Sequence, residues 1–236
     1  MNAGKLYLIP VPLGPSPVAE VLPVVVINHA RQLKHFVAEN AKSARAFLKS
    51  LPTETPLQQI DIRELNEHTP PSALPGLLAT LLVGEDVGLI SEAGCPAVAD
   101  PGTALVALAH ESGIAVVPLV GPSSILLALM GSGLSGQNFA FHGYLPAKED
   151  QRRKRIQELE RDSRKEQRTQ LFIETPYRNR QMMQALLDTC TAQTRIGIAT
   201  DLTLASEQIM TMRSCEWKCR GIPDIDKRPT VFLLQA

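Results

Sequence analysis

The sequence predicts an α/β protein built from two lobes, and three observations carry that expectation. Apolar or β-branched runs at residues 5–11, 87–90 and 114–119 alternate with helix-like stretches, the pattern of a parallel sheet wrapped by crossover helices. Runs at 207–212 and 230–234, with a turn near Pro223, read as late antiparallel strands. Between the two regions, 122–136 holds Gly131, Gly133 and Gly136 and reads as a domain junction. The expected lobes are an α/β lobe at 1–121 and a mixed α/β lobe at 122–236.

In chain order, residues 5–11 supply a first strand. Pro12, Leu13, Gly14, Pro15, Ser16 and Pro17 then make a stiff turn. Three prolines remove amide donors, so this turn is a rigid wall rather than a phosphate cradle. Residues 18–26 read as a short helix and strand, with the β-branched 24–27 closing a second strand. In the helix at 41–50, Lys42, Arg45 and Lys49 share one face. A solvated surface and contact with an RNA backbone are both open for that face. Residues 57–62 read as a strand, and 71–83 as a helix with Pro71 near its start and Gly84 at its end.

The segment SEAGCPAVADPG, residues 91–102, follows the buried strand 87–90 and precedes a helix at 103–113. A strand that empties into small residues places its loop outside the carboxyl end of the sheet, where open α/β folds bind ligands. Gly94 and Gly102 permit backbone angles closed to other residues, and Ala93, Ala97 and Ala99 keep bulk away from an approaching ligand. The strand 114–119 then delivers Gly121, Pro122, Ser123 and Ser124 to an apolar helix at 125–130, where two compatible roles are open for the polar groups: capping free N–H groups, and binding a ligand carboxylate or ribose hydroxyl.

Residues 139–144 form an aromatic-rich strand, followed by the charged helix EDQRRKRIQELERDSRKEQR. Its basic start, Arg152 to Arg155, admits three readings: a solvated face, contact with a polyanionic substrate, or a partner surface. Residues 171–173 and 195–199 are strands with polar outlets at 174–178 and 200–207, and 182–187 is a helix stripe.

Lys plus Arg (24) equals Asp plus Glu (24), so the chain is no strongly basic nucleic-acid scavenger, although a local patch is compatible with that balance. The four cysteines, Cys95, Cys190, Cys215 and Cys219, lack zinc-ligand spacing and read as thiols of a reducing cytoplasm, with no metal expected. No run of 18 uncharged apolar residues crosses a membrane and no signal segment opens the chain.

Several separated segments resemble the tetrapyrrole-methylase superfamily, and more closely its bacterial small-subunit ribosomal-RNA 2′-O-methyltransferase branch. LYLIPVPLG is similar to the opening strand and proline-glycine loop. SEAGCPAVADPG is similar to the Ser-Asp-Ala-Gly-Thr-Pro loop with its downstream Asp-Pro-Gly. VPLVGPSS, FHGYLPAK, FIETPYRN and ATDLTLASE follow in the family's order, so the resemblance spans nearly the whole chain.

The resemblance implies a two-lobed tetrapyrrole methylase-like fold with S-adenosylmethionine in the interlobe cleft, usually in a homodimer. Carried over by position, the donor site comprises Pro12, Leu13 and Gly14, then Gly94, Cys95, Val98 and Ala99, then Ser123, Ser124 and Leu145. The family's Glu-Asp-Thr-Arg-like loop becomes Glu39, Asn40, Ala41 and Lys42, with Arg45 later, while its central acidic-threonine pattern becomes Glu92 and Cys95. Asn66 and Glu67 are candidates for orienting the acceptor or removing its proton, and Arg45 for neutralising phosphate. The implied reaction is methyl transfer to a ribose 2′-OH of ribosomal RNA. A small polar or tetrapyrrole-like acceptor, or a catalytically degenerate donor-binding protein, stands as the alternative.

Overall fold

A computed structural model describes residues 3–236 and divides into two compact units, Met1–Ser123 and Ser124–Ala236. In the first unit, β1 (Leu6–Ile9), β2 (His35–Ala38), β3 (Asp61–Glu64), β4 (Val87–Ile90) and β5 (Val116–Pro118) form one sheet in the order β3-β2-β4-β1-β5. Every pairing is parallel. Such a sheet must be covered on both faces, and all four residues of β4 are buried. On one face α2 (Val24–Gln32) and α3 (Ala41–Lys49) pack Val26, Ala30, Ala44 and Leu48 against Ile9, Phe36 and Ile90. On the other, α4 (Leu74–Leu82) and α5 (Thr103–Glu111) pack Leu78, Leu81, Leu105 and Ala109 against Leu6, Val37, Val87 and Leu89.

Two strand expectations are corrected here, and one strand is added. Residues 18–26 hold no strand but α1 (Val18–Val21) and the start of α2, entered through Pro17 and Pro23, whose φ values of −57° and −58° are preset for a helix start. Val26 and Ala30, four apart, bury one face of α2, so helical periodicity outweighs the β preference of the valines. Residues 57–62 are a 3₁₀ turn, Leu57–Gln59, followed by the start of β3. The unanticipated β2 lies between β3 and β4 in the sheet.

The second unit is mixed. Its β6 (Phe139–Tyr144), β7 (Thr169–Ile173), β8 (Arg195–Thr200), β9 (Gln208–Arg213) and β10 (Thr230–Gln235) run in the order β6-β7-β10-β8-β9. Only β6 and β7 are parallel; β10 pairs antiparallel with β7 and β8, and β8 with β9. This unit begins with α6 (Ser124–Ser132), and its sheet is covered by α7 (Glu149–Glu166), α8 (Asn179–Thr189) and α9 (Ser214–Arg220). The core holds Leu145, Ile156, Leu159, Phe172, Met182, Phe232 and Trp217, whose indole N–H donates to the Ile196 carbonyl at 2.8 Å. No helix among the described residues is long and apolar enough to cross a membrane.

The first unit's packing generates a stability prediction at Gly121. A Cβ there would lie 2.2 and 2.3 Å from ring atoms of Pro10, which follows β1 directly. Gly121→Ala should therefore destabilise that unit by about 1–3 kcal/mol, the usual cost of overpacking. Urea unfolding followed by far-UV circular dichroism checks it, because Trp217 is the chain's single tryptophan and reports on the second unit.

Candidate active site

The site is built where β1 and β4 lie side by side. The chain leaves β1 for helices on one face and leaves β4 for α5 on the other. That divergence opens a crevice at the strands' carboxyl ends, the usual ligand position in an open parallel sheet. The two outgoing loops are tied by one antiparallel backbone pair: Val11 N–H donates to the Gly94 carbonyl at 3.0 Å, and Gly94 N–H to the Val11 carbonyl at 3.1 Å. Gly94 has φ +72°, and a Cβ there would approach Leu13 to 3.1 Å and the Pro122 carbonyl to 3.3 Å. Both the conformation and the room favour glycine.

Beyond Gly94 the loop differs from its sequence reading. Ala97 and Ala99, expected only to keep bulk away, hold the left-handed φ values of 63° and 56°. Gly102, expected to use its conformational freedom, is instead right-handed helical at φ −57°. Its smallness has another cause, since a Cβ would meet Asp100 Oδ1 at 2.6 Å and Leu89 at 2.8 Å. Asp100 holds the strained turn by accepting from Ala97 N–H at 3.2 Å and Gly102 N–H at 2.7 Å. The Thr103 hydroxyl closes it by donating to the Ala97 carbonyl at 3.1 Å. Strain held this firmly in a loop at a strand's carboxyl end marks a segment shaped for a task.

A cavity of about 730 Å³ opens beside this loop, within the size range of small-molecule sites. Pro12, Leu13, Gly14, Ser43, Phe47 and Glu92 are all among its lining residues. Asn40 caps α3 through its side-chain oxygen, which accepts from Lys42 and Ser43 N–H at 2.8 and 3.4 Å. That cap fixes the first helical turn, from which the Ser43 hydroxyl donates to Glu92 Oε2 at 3.1 Å.

Behind this pair lies Glu39, directly after β2. Its carboxyl is pushed above the ordinary glutamate range first by burial, then by the negative charges of Asp100 and Glu92, with Glu67 adding a smaller contribution. The backbone N–H of Glu92 works against that rise. Sequence reading noted Glu39 and Glu92 only as departures from a motif and missed their convergence. The missed signal was β2 itself: with β2 beside β4 and Ala38 opposite Ile90, the acids after each strand must meet.

The other expected residues are placed as follows. Cys95 is half-buried, with its thiol toward the Pro122 carbonyl at 3.4 Å, and burial raises its pKa, so it stays a neutral thiol. Val98 and Ala99 are exposed on the loop. Ser123 ends the first unit and Ser124 opens α6 in the second. The Leu145 side chain is enclosed in the second unit's core. Asn66 uses its side-chain oxygen in a local turn, accepting from His68 N–H at 3.0 Å. Glu67 and Arg45 are exposed, and none of Arg45, Asn66 and Glu67 lines the cavity.

The Pro12–Gly14 wall fits a flat, cationic sulfonium nucleoside, and the only charged group among the lining residues is the carboxylate of Glu92; Gly94, Cys95, Val98 and Ala99 are not among those lining residues.

Comparison with known proteins agrees with this geometry. The model of the tetrapyrrole (corrin/porphyrin) methylases, a family whose methyl donor is S-adenosylmethionine, matches residues 5–215. "Ribosomal RNA small subunit methyltransferase I" of Pseudomonas aeruginosa is 32% identical over 216 residues, covering 92% of this chain and 72% of that protein. Its namesake in Vibrio cholerae is 36% identical over 152 residues, covering 64% of this chain and 51% of its own length. The chain thus spans about half of the Vibrio relative. Among solved structures, the methyltransferase CobJ superposes with a TM-score of 0.65 at 16% identity, covering 99% of this chain and 94% of that one. A conserved hypothetical protein of Aeropyrum pernix gives 0.68 at 14% identity, covering 100% and 85%. By fold and by sequence, the chain belongs to the tetrapyrrole methylases and, within them, groups with the ribosomal RNA small subunit methyltransferases.

Proposed function

We propose that this chain transfers a methyl group from S-adenosylmethionine to a ribose 2′-OH of small-subunit ribosomal RNA, and that it acts as a homodimer. The observation that carries the reading is the Ser43–Glu92 pair in the lining of a nucleoside-sized cavity that the Pro12–Gly14 loop also lines. The names of the relatives supply the substrate class. When bound, the donor provides an electrophilic methyl carbon on a positively charged sulfur. The chain's own work is alignment and proton handling. Within the first unit, Pro12, Leu13 and Gly14 form the donor surface, with the Gly94–Ala99 loop beside them.

Glu92 accepts the proton that the acceptor hydroxyl loses, and Ser43 holds its carboxylate by donating to one oxygen. A positioned general base of this kind contributes about 10²–10⁴-fold. Glu39 retains its own proton more readily than an ordinary glutamate, so fewer full charges crowd the site. Arg45 on α3, exposed and without an ion pair among the described residues, faces phosphates flanking the target nucleotide. Asn66 and Glu67 shape the acceptor side of the acidic cluster.

Three measurements test the reading. Purified protein incubated with isotopically labelled donor should label small-subunit RNA, and mass spectrometry should locate the label on ribose. Label on small heterocycles alone would transfer the acceptor role to them, and tight donor binding with no turnover would leave a binding protein. Glu92→Gln should lower kcat by about 10²-fold or more while donor affinity, read by calorimetry, holds. Unaltered kcat would remove Glu92 from the chemistry.

The raised carboxyl of Glu39 also predicts a pH dependence. The folded state binds its proton more tightly than the unfolded chain does. Its stabilising contribution is therefore full below the ordinary glutamate value of about 4.3 and is lost as pH rises through the folded-state value. Glu39→Gln should match wild type in acid and become the more stable of the two above that window. Urea midpoints measured across the pH range check this.

A further inference from the structure

The second unit has a cavity of its own, about 740 Å³, at the first turn of α7 and the start of α8. Its lining includes Arg152, Arg153, Tyr177, Arg180, Gln181 and Gln184. Among the described residues, four charged side chains are buried, all in this unit: Arg152, Glu160, Glu174 and Asp201. Three of them have an opposite charge at hand. Glu174 meets Arg178 at 2.6 Å, Asp201 meets Arg228 at 2.8 Å, and Glu160 meets Arg164 at 4.0 Å.

Arg152 is the exception. It is 94% buried (relative exposure 6%), its Nη1 donates to the Ala147 carbonyl at 2.9 Å, and its Nε is enclosed with no partner. A guanidinium cannot escape burial by losing its proton, so a buried, unpaired one calls for an anion.

The neighbouring carboxylates do not answer that call. Glu149 pairs with Arg153 at 3.4 Å, Asp188 accepts from Gln184 at 2.9 Å, and Asp226 is exposed on the lining without an ion pair to Arg152. Arg180 is exposed and likewise unpaired among the described residues. Beside these two cations, Tyr177 leaves 78% of its surface in solvent and lines the cavity. A fixed cation, a second cation and an open aromatic ring around one cavity match a nucleotide: phosphate for the arginines, base for the ring.

We propose that this cavity binds a phosphodiester and the adjoining base of single-stranded RNA, with Arg152 and Arg180 on the phosphate and Tyr177 stacked on the base. The assignment rests on the RNA-acceptor reading above and extends it to a second foothold that shares no residue with the Ser43–Glu92 pair.

The test is anisotropy of a fluorescently labelled, short single-stranded RNA titrated with the full chain over a series of salt concentrations. Two exposed positions are varied and far-UV circular dichroism confirms folding. Tyr177→Ala should weaken binding about tenfold, the loss of one stacked base. Arg180→Gln should flatten the slope of log K against log salt by about 0.7, the loss of one phosphate contact to a single strand. Both should raise the KM for RNA in the methyl-transfer assay. If wild type methylates RNA while both variants bind it with wild-type affinity and slope, this site is overturned and the acceptor reading stands. If wild type binds the donor but neither binds nor methylates RNA, the acceptor reading falls and takes this one with it.

Discussion

The candidate active site depends on one backbone pairing, Val11 with Gly94. It joins the loops leaving β1 and β4 at the point where their helices diverge to opposite faces of the sheet. Two peptide hydrogen bonds there are worth little in isolation, of order 1 kcal/mol each. Their importance is positional, because they hold the proline wall and the strained central loop in one register. Small residues follow as a consequence. Gly94 is closed in by Leu13 and the Pro122 carbonyl, Gly121 by the Pro10 ring, and the Cys95 thiol fits against the Pro122 carbonyl.

The acidic character of the site has the same topological origin. Since β2 and β4 are parallel neighbours with Ala38 opposite Ile90, whatever follows Ala38 and Ile90 must share one space. The chain places Glu39 and Glu92 there, and Asp100 returns to the same region because it braces the loop from within. Burial first, and then the negative charges of Asp100 and Glu92, raise the proton affinity of Glu39. Charge regulation at this site is thus an outcome of strand order. No local motif encodes it.

That distinction separates what was legible in the sequence from what was not. The parallel first sheet and mixed second sheet were readable because buried parallel strands are continuous apolar runs and the late strands lack long helices between them. The 91–102 loop was readable because small residues after such a run have few other uses. The valines at 24–26 were misread because β-branching signals a strand, while two prolines and an i,i+4 apolar pair made a helix. β2 escaped notice as four residues in a mixed stretch, and with it went the Glu39–Glu92 convergence and the Ser43–Glu92 bond, which joins residues 49 apart in sequence. Alanine gives no sign of a left-handed φ, so the strain at Ala97 and Ala99 was invisible, whereas glycine at 102 suggested a freedom that the loop does not use.

The second unit's motifs show how the same residue types serve structure or binding according to what surrounds them. Glu174 and Arg178 of FIETPYRN lock each other, and Asn179 ties α8 to the Ile225 and Arg228 carbonyls at 2.9 and 2.7 Å. Asp201 of ATDLTLASE accepts from Ser206 and Arg228, and Glu160 takes the amide and hydroxyl of Thr191 and the hydroxyl of Thr194. Each of these carboxylates spends its charge inside the protein, which accounts for it as a brace. The basic run that begins α7 is divided in the same way. Arg155 bonds Glu158 and His142, and Arg153 pairs with Glu149, so both are satisfied from their own surroundings. Helical geometry turns Arg152 inward from the same run, and there the supply of counter-charge ends. Among the described residues every other buried charge is paired, and Arg152, left beside an open cavity, keeps its charge for something that arrives from outside.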